Sequence, residues 1–533
     1  MQYWPEEKFP PRDVQIQALE WIEAQSAKYL ILQAPVASGK SHIAITASTF
    51  LGNGVGSSFV LTPQKVLQKQ YKDTFREGMA FALYGKNNYT CDTKNCSCDI
   101  GSLVNPKCRE CPYTSAVKQS EHAPNIIMNY TLALLMMQFH PTYIKARRKL
   151  MVIDECHNLE TALISFSAKK ISRRFVESEL NLPWPMHVTS FQMLQEWMEA
   201  SGYYNKLIAL MEELEGKVDE IQKQSTKMSK DDIKVIRRLF RLEEMVGDAT
   251  EIIRTSVDDL VGKSVFDYND LGFEIRNLYG KEEFKTLLDE RADKFLFMSG
   301  TVDPDGFCED LGIPRDQCAF LSLESPIPAE NRPVVFIPTI RMNYQWMDES
   351  NRDKRVNAVK VIKQIITDGH KGESGIIHTT NFKVAEWLKN QLTKWAEKNN
   401  INLIDHVPDP EEPVSRDDAI AKYLNIVANG GQAILLSPSC TEGLDLKGNL
   451  GRFSIVFKVP FGNLGDKWIK RRMELSKEWY SRNALYQTMQ AAGRVSRDPE
   501  DMGTTYILDE SWLHLMKTTD KLIPPYWKEA YAG

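Results

Sequence analysis

Tyr29-Leu30-Ile31-Leu32-Gln33-Ala34-Pro35-Val36-Ala37-Ser38-Gly39-Lys40-Ser41 runs from a strand-length apolar stretch into a small-residue loop, and helix formers follow from His42 to Phe50. A strand–loop–helix turn of this kind aims backbone N–H groups and a helix N-terminus at a phosphate. Ala34, Pro35, Val36, Ala37, Ser38 and Gly39 would form the cradle, Lys40 would neutralise the terminal phosphates of a nucleotide, and Ser41 would help hold Mg²⁺. Ala34 replaces the first glycine of the general pattern, and a Ser/Gly turn capping a helix would look similar in isolation. Leu150-Met151-Val152-Ile153-Asp154-Glu155-Cys156-His157 is the expected partner. Its apolar strand delivers Asp154 to orient Mg²⁺, mostly through waters, and Glu155 to activate an attacking water. At the far end of the chain, Gln490-Ala491-Ala492-Gly493-Arg494-Val495-Ser496-Arg497 offers two arginines three apart, with Gln490 one turn earlier. Alone it would be a solvated basic helix end. Opposite a phosphate loop, Arg494 and Arg497 are spaced to meet a γ-phosphate from another domain.

Outward from these motifs the chain alternates. Strand-length apolar runs at 29–33, 58–62, 125–129, 150–154 and 294–299 have helix-like stretches between most of them. A second series lies at 333–338, 375–379, 401–405, 432–437, 453–459 and 504–509. Alternation of this kind predicts α/β architecture, two domains with parallel sheets covered by helices on both faces. Pro326, Pro328 and Pro333 mark the join between them. Two segments depart from the alternation. Residues 85–113 are Cys-rich and aperiodic, and about 165–290 is dominated by helix formers with apolar residues at three- and four-residue spacing, which predicts a helical insertion.

The 533 residues exceed one hydrophobic core, and the net charge of −5 neither demands nor excludes nucleic acid, so any binding track must be local. Lys65, Lys69 and Lys72 are candidates for such a track, although a lysine run is usually a solvated face. No apolar run of about eighteen residues is present, so a cytoplasmic chain without membrane span or signal peptide is expected. Of nine cysteines, Cys91, Cys96, Cys98, Cys108 and Cys111 are crowded together, which in a reducing compartment points to metal before disulfides. Spacing alone suits zinc as well as an iron–sulfur cluster.

In order along the chain, the phosphate loop, D-E-x-H at 154–157, S-G-T at 299–301, T-E-G-x-D at 441–445 and Q-x-x-G-R-x-x-R at 490–497 resemble the superfamily 2 helicases. Tyr84-Gly85-Lys86-Asn87-Asn88-Tyr89-Thr90-Cys91, Cys111-Pro112-Tyr113, and Glu324-Ser325-Pro326-Ile327-Pro328 with Asn331-Arg332 are similar to the iron–sulfur branch containing XPD and DinG. The resemblance implies two RecA-like motor domains, with a cluster domain and an α-helical arch domain inserted in the first. The expected boundaries are 1–84, 114–164 and 291–325 for the first motor domain, 85–113 for the cluster, 165–290 for the arch and 326–533 for the second motor domain. It implies a 4Fe–4S cluster on Cys91, Cys98, Cys108 and Cys111, with zinc as the alternative. Cys98 is preferred to Cys96 because Cys-Asp-Ile-Gly reads as the turn entering the next loop.

Residue by residue, Gln15 matches the adenine-reading glutamine, and Thr62 and His378-Thr379-Thr380 match loops that touch the DNA backbone. His157, Ser299 and Thr301 match groups coupling nucleotide state to domain closure, while Glu442 and Asp445 match the motif facing both nucleotide and strand. Ala37 for glycine, Ser41 for threonine and Cys156 for alanine depart from the family pattern without removing a catalytic group. The function implied is an ATP-dependent DNA helicase tracking 5′ to 3′ on single-stranded DNA and opening forked or tailed duplexes, R-loops or D-loops, as in DNA repair. The partners expected are single-stranded DNA, tailed duplex and RNA–DNA hybrid, bound by a monomer. The alternative is a translocase that strips proteins or RNA from a strand without processive unwinding.

Overall fold

The computed structural model describes residues 3–5, 9–92, 96–104, 111–140, 147–223, 228–408, 414–438 and 444–532. Its first sheet contains β1 (Tyr29–Gln33), β2 (Ser58–Thr62), β3 (Phe81–Ala82), β4 (Asn125–Asn129), β5 (Arg148–Asp154), β9 (Ala292–Ser299) and β10 (Cys318–Ser322), in the order β10-β1-β9-β5-β2-β4-β3. Every pairing is parallel. All five residues of β1 are buried, as continuous apolar runs require when helices cover both faces. The register sets Gln33 beside Ser299 and Asp154 beside Met298, so three motif-bearing strand ends finish side by side.

The second sheet, equally parallel, has the order β11-β16-β15-β12-β14-β13. Its strands are β11 (Val334–Ile340), β12 (Gly375–His378), β13 (Asn402–Ile404), β14 (Ala433–Ser437), β15 (Phe453–Val456) and β16 (Thr504–Asp509). The two expected strand series therefore form two separate sheets. The sequence pattern passed over β3, of only two residues, and β10, which is half-buried at the edge of the first sheet.

The helices that matter below are, in chain order, α1 (Asp13–Ala24), α2 (Lys40–Leu51), α3 (Cys98–Val104), α4 (Leu159–Ser167), α5 (Tyr203–Lys223), α6 (Lys230–Arg254), α7 (Pro304–Leu311), α8 (Lys467–Leu475), α9 (Lys477–Ala492) and α10 (Pro525–Ala530). Helices α5 and α6 dominate the stretch between β5 and β9. Ser229 starts α6 with a capping box: its hydroxyl accepts from the N–H of Asp232, whose carboxylate accepts from the N–H of Ser229. Leu207, Leu214, Val218 and Ile221 face Ile236, Leu239, Leu242 and Ile252 in one core. The segment is not purely helical, however. β6 (Lys169–Ser172), β7 (Ser264–Asn269) and β8 (Gly272–Asn277) form an antiparallel sheet in the order β6-β8-β7. α3 docks on this body through Ile100, which is fully buried in the same core. Among the described residues no helix is long and apolar enough to cross a membrane.

Candidate functional site

The loop after β1 is held open by two left-handed residues, Ala37 (φ +66°) and Gly39 (φ +77°). Glycine at 39 is needed twice over: besides its φ, a Cβ there would lie 2.1 Å from the amide nitrogen of Gln15. Ala37 bears a Cβ in the same conformation at a cost of about 1–2 kcal/mol. The N–H of Ala34 donates to the carbonyl of Ser299 at 2.7 Å, and the Ser38 hydroxyl donates to the carbonyl of Pro35 at 2.8 Å, closing the loop from below. Gly39 caps α2, which presents its N-terminus to the space above.

Lys40 Nζ lies 3.0 Å from Glu155 Oε1. Burial works against the lysine charge, but Glu155 and Asp154 outweigh it and raise its pKa. Asp154 is buried, and burial together with the Glu155 charge pushes its carboxyl up to about 6. Burial works against the Glu155 carboxylate, but Lys40 above all, and Arg494, favour it, and it is held down to about 2. The adjacent carboxylates are thus driven apart, Glu155 fully ionised and Asp154 more easily protonated. Tyr71 donates to Asp154 Oδ2 at 3.1 Å, and Tyr130 donates to the Asp154 carbonyl at 2.6 Å.

His157 links the two lobes. Its Nε2 lies 2.8 Å from the Gln490 amide nitrogen and 2.9 Å from that of Asn158, while Nδ1 lies 2.8 Å from Ser299 Oγ. Two amide donors on Nε2 make it the acceptor, so Nδ1 carries the proton and donates to Ser299. The Ser299 hydroxyl donates onward to the carbonyl of Thr301 at 2.9 Å. Gln490 also donates to the Thr301 hydroxyl at 3.3 Å, so one side chain of the second lobe reads two motifs of the first.

Arg494 Nη1 donates to the carbonyl of Leu444 at 3.2 Å, and Arg497 Nε donates to Asp445 at 2.8 Å. Both arginines line a cavity of about 730 Å³ together with Gly39, Lys40, Glu155 and Gln490. The volume suits a nucleotide-sized ligand. Oxygen donors at Ser41 and Asp154 border the same cavity and suit a hard cation such as Mg²⁺. Asp445 lines it as well, whereas Glu442 lies outside the described residues. Gln15 does not line the cavity wall. It is buried behind the loop, where its amide carbonyl accepts from the N–H of Arg12 at 2.9 Å.

Arg12 itself donates to the carbonyl of Ala37, and Tyr526 on α10 donates to the carbonyl of Gly300 at 2.8 Å. Neither had a sequence signal beyond its residue type. Thr62 ends β2 and Thr379 directly follows β12, both buried and with the hydroxyl given to the carbonyl two residues on. They brace turns rather than face solvent. Beyond Thr62, Lys69 lines the cavity, while Lys65 donates to Asn88 at 2.9 Å.

Cys91 and Cys98 are buried with Tyr113, and Cys96, Cys111 and Tyr89 pack against them. A single bridge between Thr90 and Ser97 folds the segment back, and the Cys91 N–H donates to the carbonyl of Cys96 at 2.7 Å. Burial raises the Cys98 thiol to about 11, while N–H groups at the start of Pro112–His122 hold Cys111 low. Gly101 approaches so closely that a Cβ would lie 2.7 Å from Cys91 Sγ. Four described thiols thus share one small cluster with glycine at its wall. Cys108 lies outside the described residues, and among those described no group of three or more His, Cys, Asp or Glu is arranged to hold a metal ion.

Residues 332–530 match the family described as helicase C-terminal domain, and residues 8–181 match that of the type III restriction enzyme, res subunit. The ATP-dependent DNA helicase DinG of Photobacterium profundum is 26% identical over 215 residues, 38% of this chain and 29% of that one. The XPD subunit of general transcription and DNA repair factor IIH from Schizosaccharomyces pombe is 28% identical over 159 residues, 28% of this chain and 20% of that one. The chain thus spans less than a third of the length of these two relatives. The ATP-dependent DNA helicase YoaA of Haemophilus influenzae is 19% identical over 447 residues, 76% of this chain and 67% of that one. Among solved structures, an XPD helicase superposes with a TM-score of 0.64 at 18% identity, covering 96% of this chain and 98% of that one. S. tokodaii Xpd4 gives 0.60 at 14% identity, covering 97% and 99%.

Proposed function

We propose that the chain is of the superfamily 2 XPD/DinG type, which the matched helicase C-terminal domain and the likeness to DinG and XPD support, and that it is an ATP-driven DNA helicase travelling 5′ to 3′ on single-stranded DNA. One observation carries the proposal: Lys40 and Glu155 from the first lobe and Gln490, Arg494 and Arg497 from the second line the same cavity. Nucleotide binding would exchange the contacts now made inside it. Lys40 leaves Glu155 for the phosphates, and the freed carboxylate, already ionised, accepts a proton from the attacking water. Arg497 gives up Asp445, and with Arg494 meets the γ-phosphate. Mg²⁺ held by Ser41 and Asp154 would offset phosphate charge. Loss of the γ-phosphate returns both arginines to their protein partners and lets the lobes part. Alternating grip on the phosphate backbone would turn that cycle into steps.

In the same proposal Cys91, Cys98 and Cys111, with Cys108, hold an iron–sulfur cluster, zinc being the alternative. The cluster would supply a rigid cross-link in a segment too small to have a core of its own. The body between β5 and β9 is the arch, and forked or tailed duplex is the substrate, opened by a monomer.

The test is strand displacement on 5′-tailed and 3′-tailed duplexes with ATP and Mg²⁺, using anaerobically purified chain beside Lys40→Ala. Unwinding of the 5′-tailed duplex alone, lost in the variant, is the expected result. DNA-stimulated ATP hydrolysis with unwinding of neither would leave a stripping translocase in its place.

A further inference from the structure

Outside the nucleotide cavity, the second lobe grips the rest of the chain through the helical hairpin α8–α9. Arg472 on α8 is 2% exposed. It bonds Glu160 of α4 at 3.0 Å and Asp310 of α7 at 2.8 Å. Its guanidinium lies over the rings of Tyr279, Trp479 and Trp468 at 4.2, 4.6 and 5.7 Å. Arg482 on α9 bonds Asp303 at 2.9 Å and also Asp310. A Cβ on Gly306 would lie 1.3 Å from Arg482 Nη1, so this approach exists only because residue 306 has no side chain. Removing one partner from such a buried set strands an uncompensated charge, which makes the contact far harder to open than the neutral bonds of Gln490. It is a fulcrum between the lobes.

One turn toward its N-terminus, α8 touches a third body. Asp466 Oδ1 lies 2.6 Å from Arg276 Nη2, Lys467 Nζ lies 3.0 Å from Asp267, and the Trp468 indole donates to the carbonyl of Asn277 at 2.8 Å. Arg276 also lies over the Trp468 ring at 5.5 Å. Arg276, Asp267 and Asn277 belong to β7 and β8, at the base of the helical body inserted in the first lobe. A rotation of the second lobe about Arg472 must therefore break this contact or turn the body with it.

We propose that Arg276 is a positioning residue that, through Asp466 and Trp468, delivers nucleotide-driven movement of the second lobe to the helical body. Strand separation depends on it and ATP turnover does not. The inference rests on the helicase reading above. The 25 residues of α6 span about 38 Å, so a turn of about 5° at the base displaces the far end by about 3 Å. Asp466 both caps α8, accepting from the N–H groups of Trp468 and Ile469, and receives Arg276. The coupling contact and the start of the helix it moves are thus one side chain.

Arg276→Met keeps an aliphatic side chain over Trp468 and removes the charge. On the full chain, ATP turnover with unpaired strand should stay within about twofold of wild type, while strand displaced per ATP hydrolysed falls about tenfold. Arg276→Lys, which restores a cation opposite Asp466, should recover most of the loss. A second readout does not need unwinding. Hydrogen–deuterium exchange in α5 and α6 should change when ADP–beryllium fluoride and Mg²⁺ are added to wild type, and Arg276→Met should abolish that change. Unchanged displacement per ATP with an unchanged exchange response would overturn the proposal. Parallel loss of ATP turnover would overturn it as well, reducing the contact to structural support. A wild-type chain that hydrolyses ATP with DNA yet displaces no strand defeats the helicase reading instead, and the exchange response then decides the coupling alone.

Discussion

His157 is the side chain through which the second lobe meets two motifs of the first. It takes the Gln490 amide on one nitrogen and meets Ser299 Oγ through the other. Gln490 makes two bonds across the cleft, to His157 and Thr301. At about 0.5–1.5 kcal/mol net for each, Gln490→Ala should weaken lobe closure by about 1–3 kcal/mol. In steady-state ATPase assays with saturating single-stranded DNA, kcat/KM should fall roughly fivefold to hundredfold, with the melting temperature little altered because no core contact is lost. The residues proposed for the chemistry stood out as motifs, since a loop between strand and helix ties neighbouring positions such as Gly39 and Lys40 to one geometry. Their supports did not. Tyr71 reaches Asp154 across 83 residues of sequence, and from its helix pattern it is simply an apolar-face tyrosine. Gln15 matched the adenine-reading glutamine by resemblance, but it is buried behind the loop, where a Cβ on Gly39 would crowd its amide.

Among the elements, parallel strands declared themselves because burial on both faces demands unbroken apolar runs such as Tyr29–Gln33 and Ala433–Ser437. The small antiparallel sheet did not. Lys169–Ser172 and Gly272–Asn277 mix buried with half-exposed positions and carry charges, so they vanish among the helix-forming residues around them. The Cys-rich element was visible by composition, yet its form depends on α3 and the close approach of Gly101 to Cys91. Gly101→Ala would drive a methyl group into that sulfur. Elemental analysis of anaerobically purified chain should show metal per chain reduced in the variant, and urea unfolding should show a loss of about 1–3 kcal/mol from overpacking.

For the molecule as a whole, the ion cluster that joins the lobes holds three carboxyls, Glu160, Asp303 and Asp310, against two guanidiniums, Arg472 and Arg482. Burial first, and then the Asp310 charge, push Glu160 up to about 8, against the pull of both arginines, so the surplus carboxyl keeps its proton near neutrality. A carboxyl whose pKa is raised on folding binds protons more tightly in the native state. Its contribution is therefore most favourable below the unfolded value of 4.5 and is lost progressively as pH rises toward about 8. Urea midpoints measured between about pH 5 and pH 8 should decline more steeply for wild type than for Glu160→Gln, which mimics the protonated form. The first sheet carries a different consequence. Its inner strand β1 pairs only with β9 and β10, which begin at Ala292 and Cys318. At a synthesis rate of about 5–20 residues per second, both edges of Tyr29–Gln33 wait roughly 15–60 seconds for their neighbours to be made. During translation the loop after β1 thus hangs from an apolar strand with both edges unpaired until residue 322 has been made, the interval in which that strand is most open to wrong pairing.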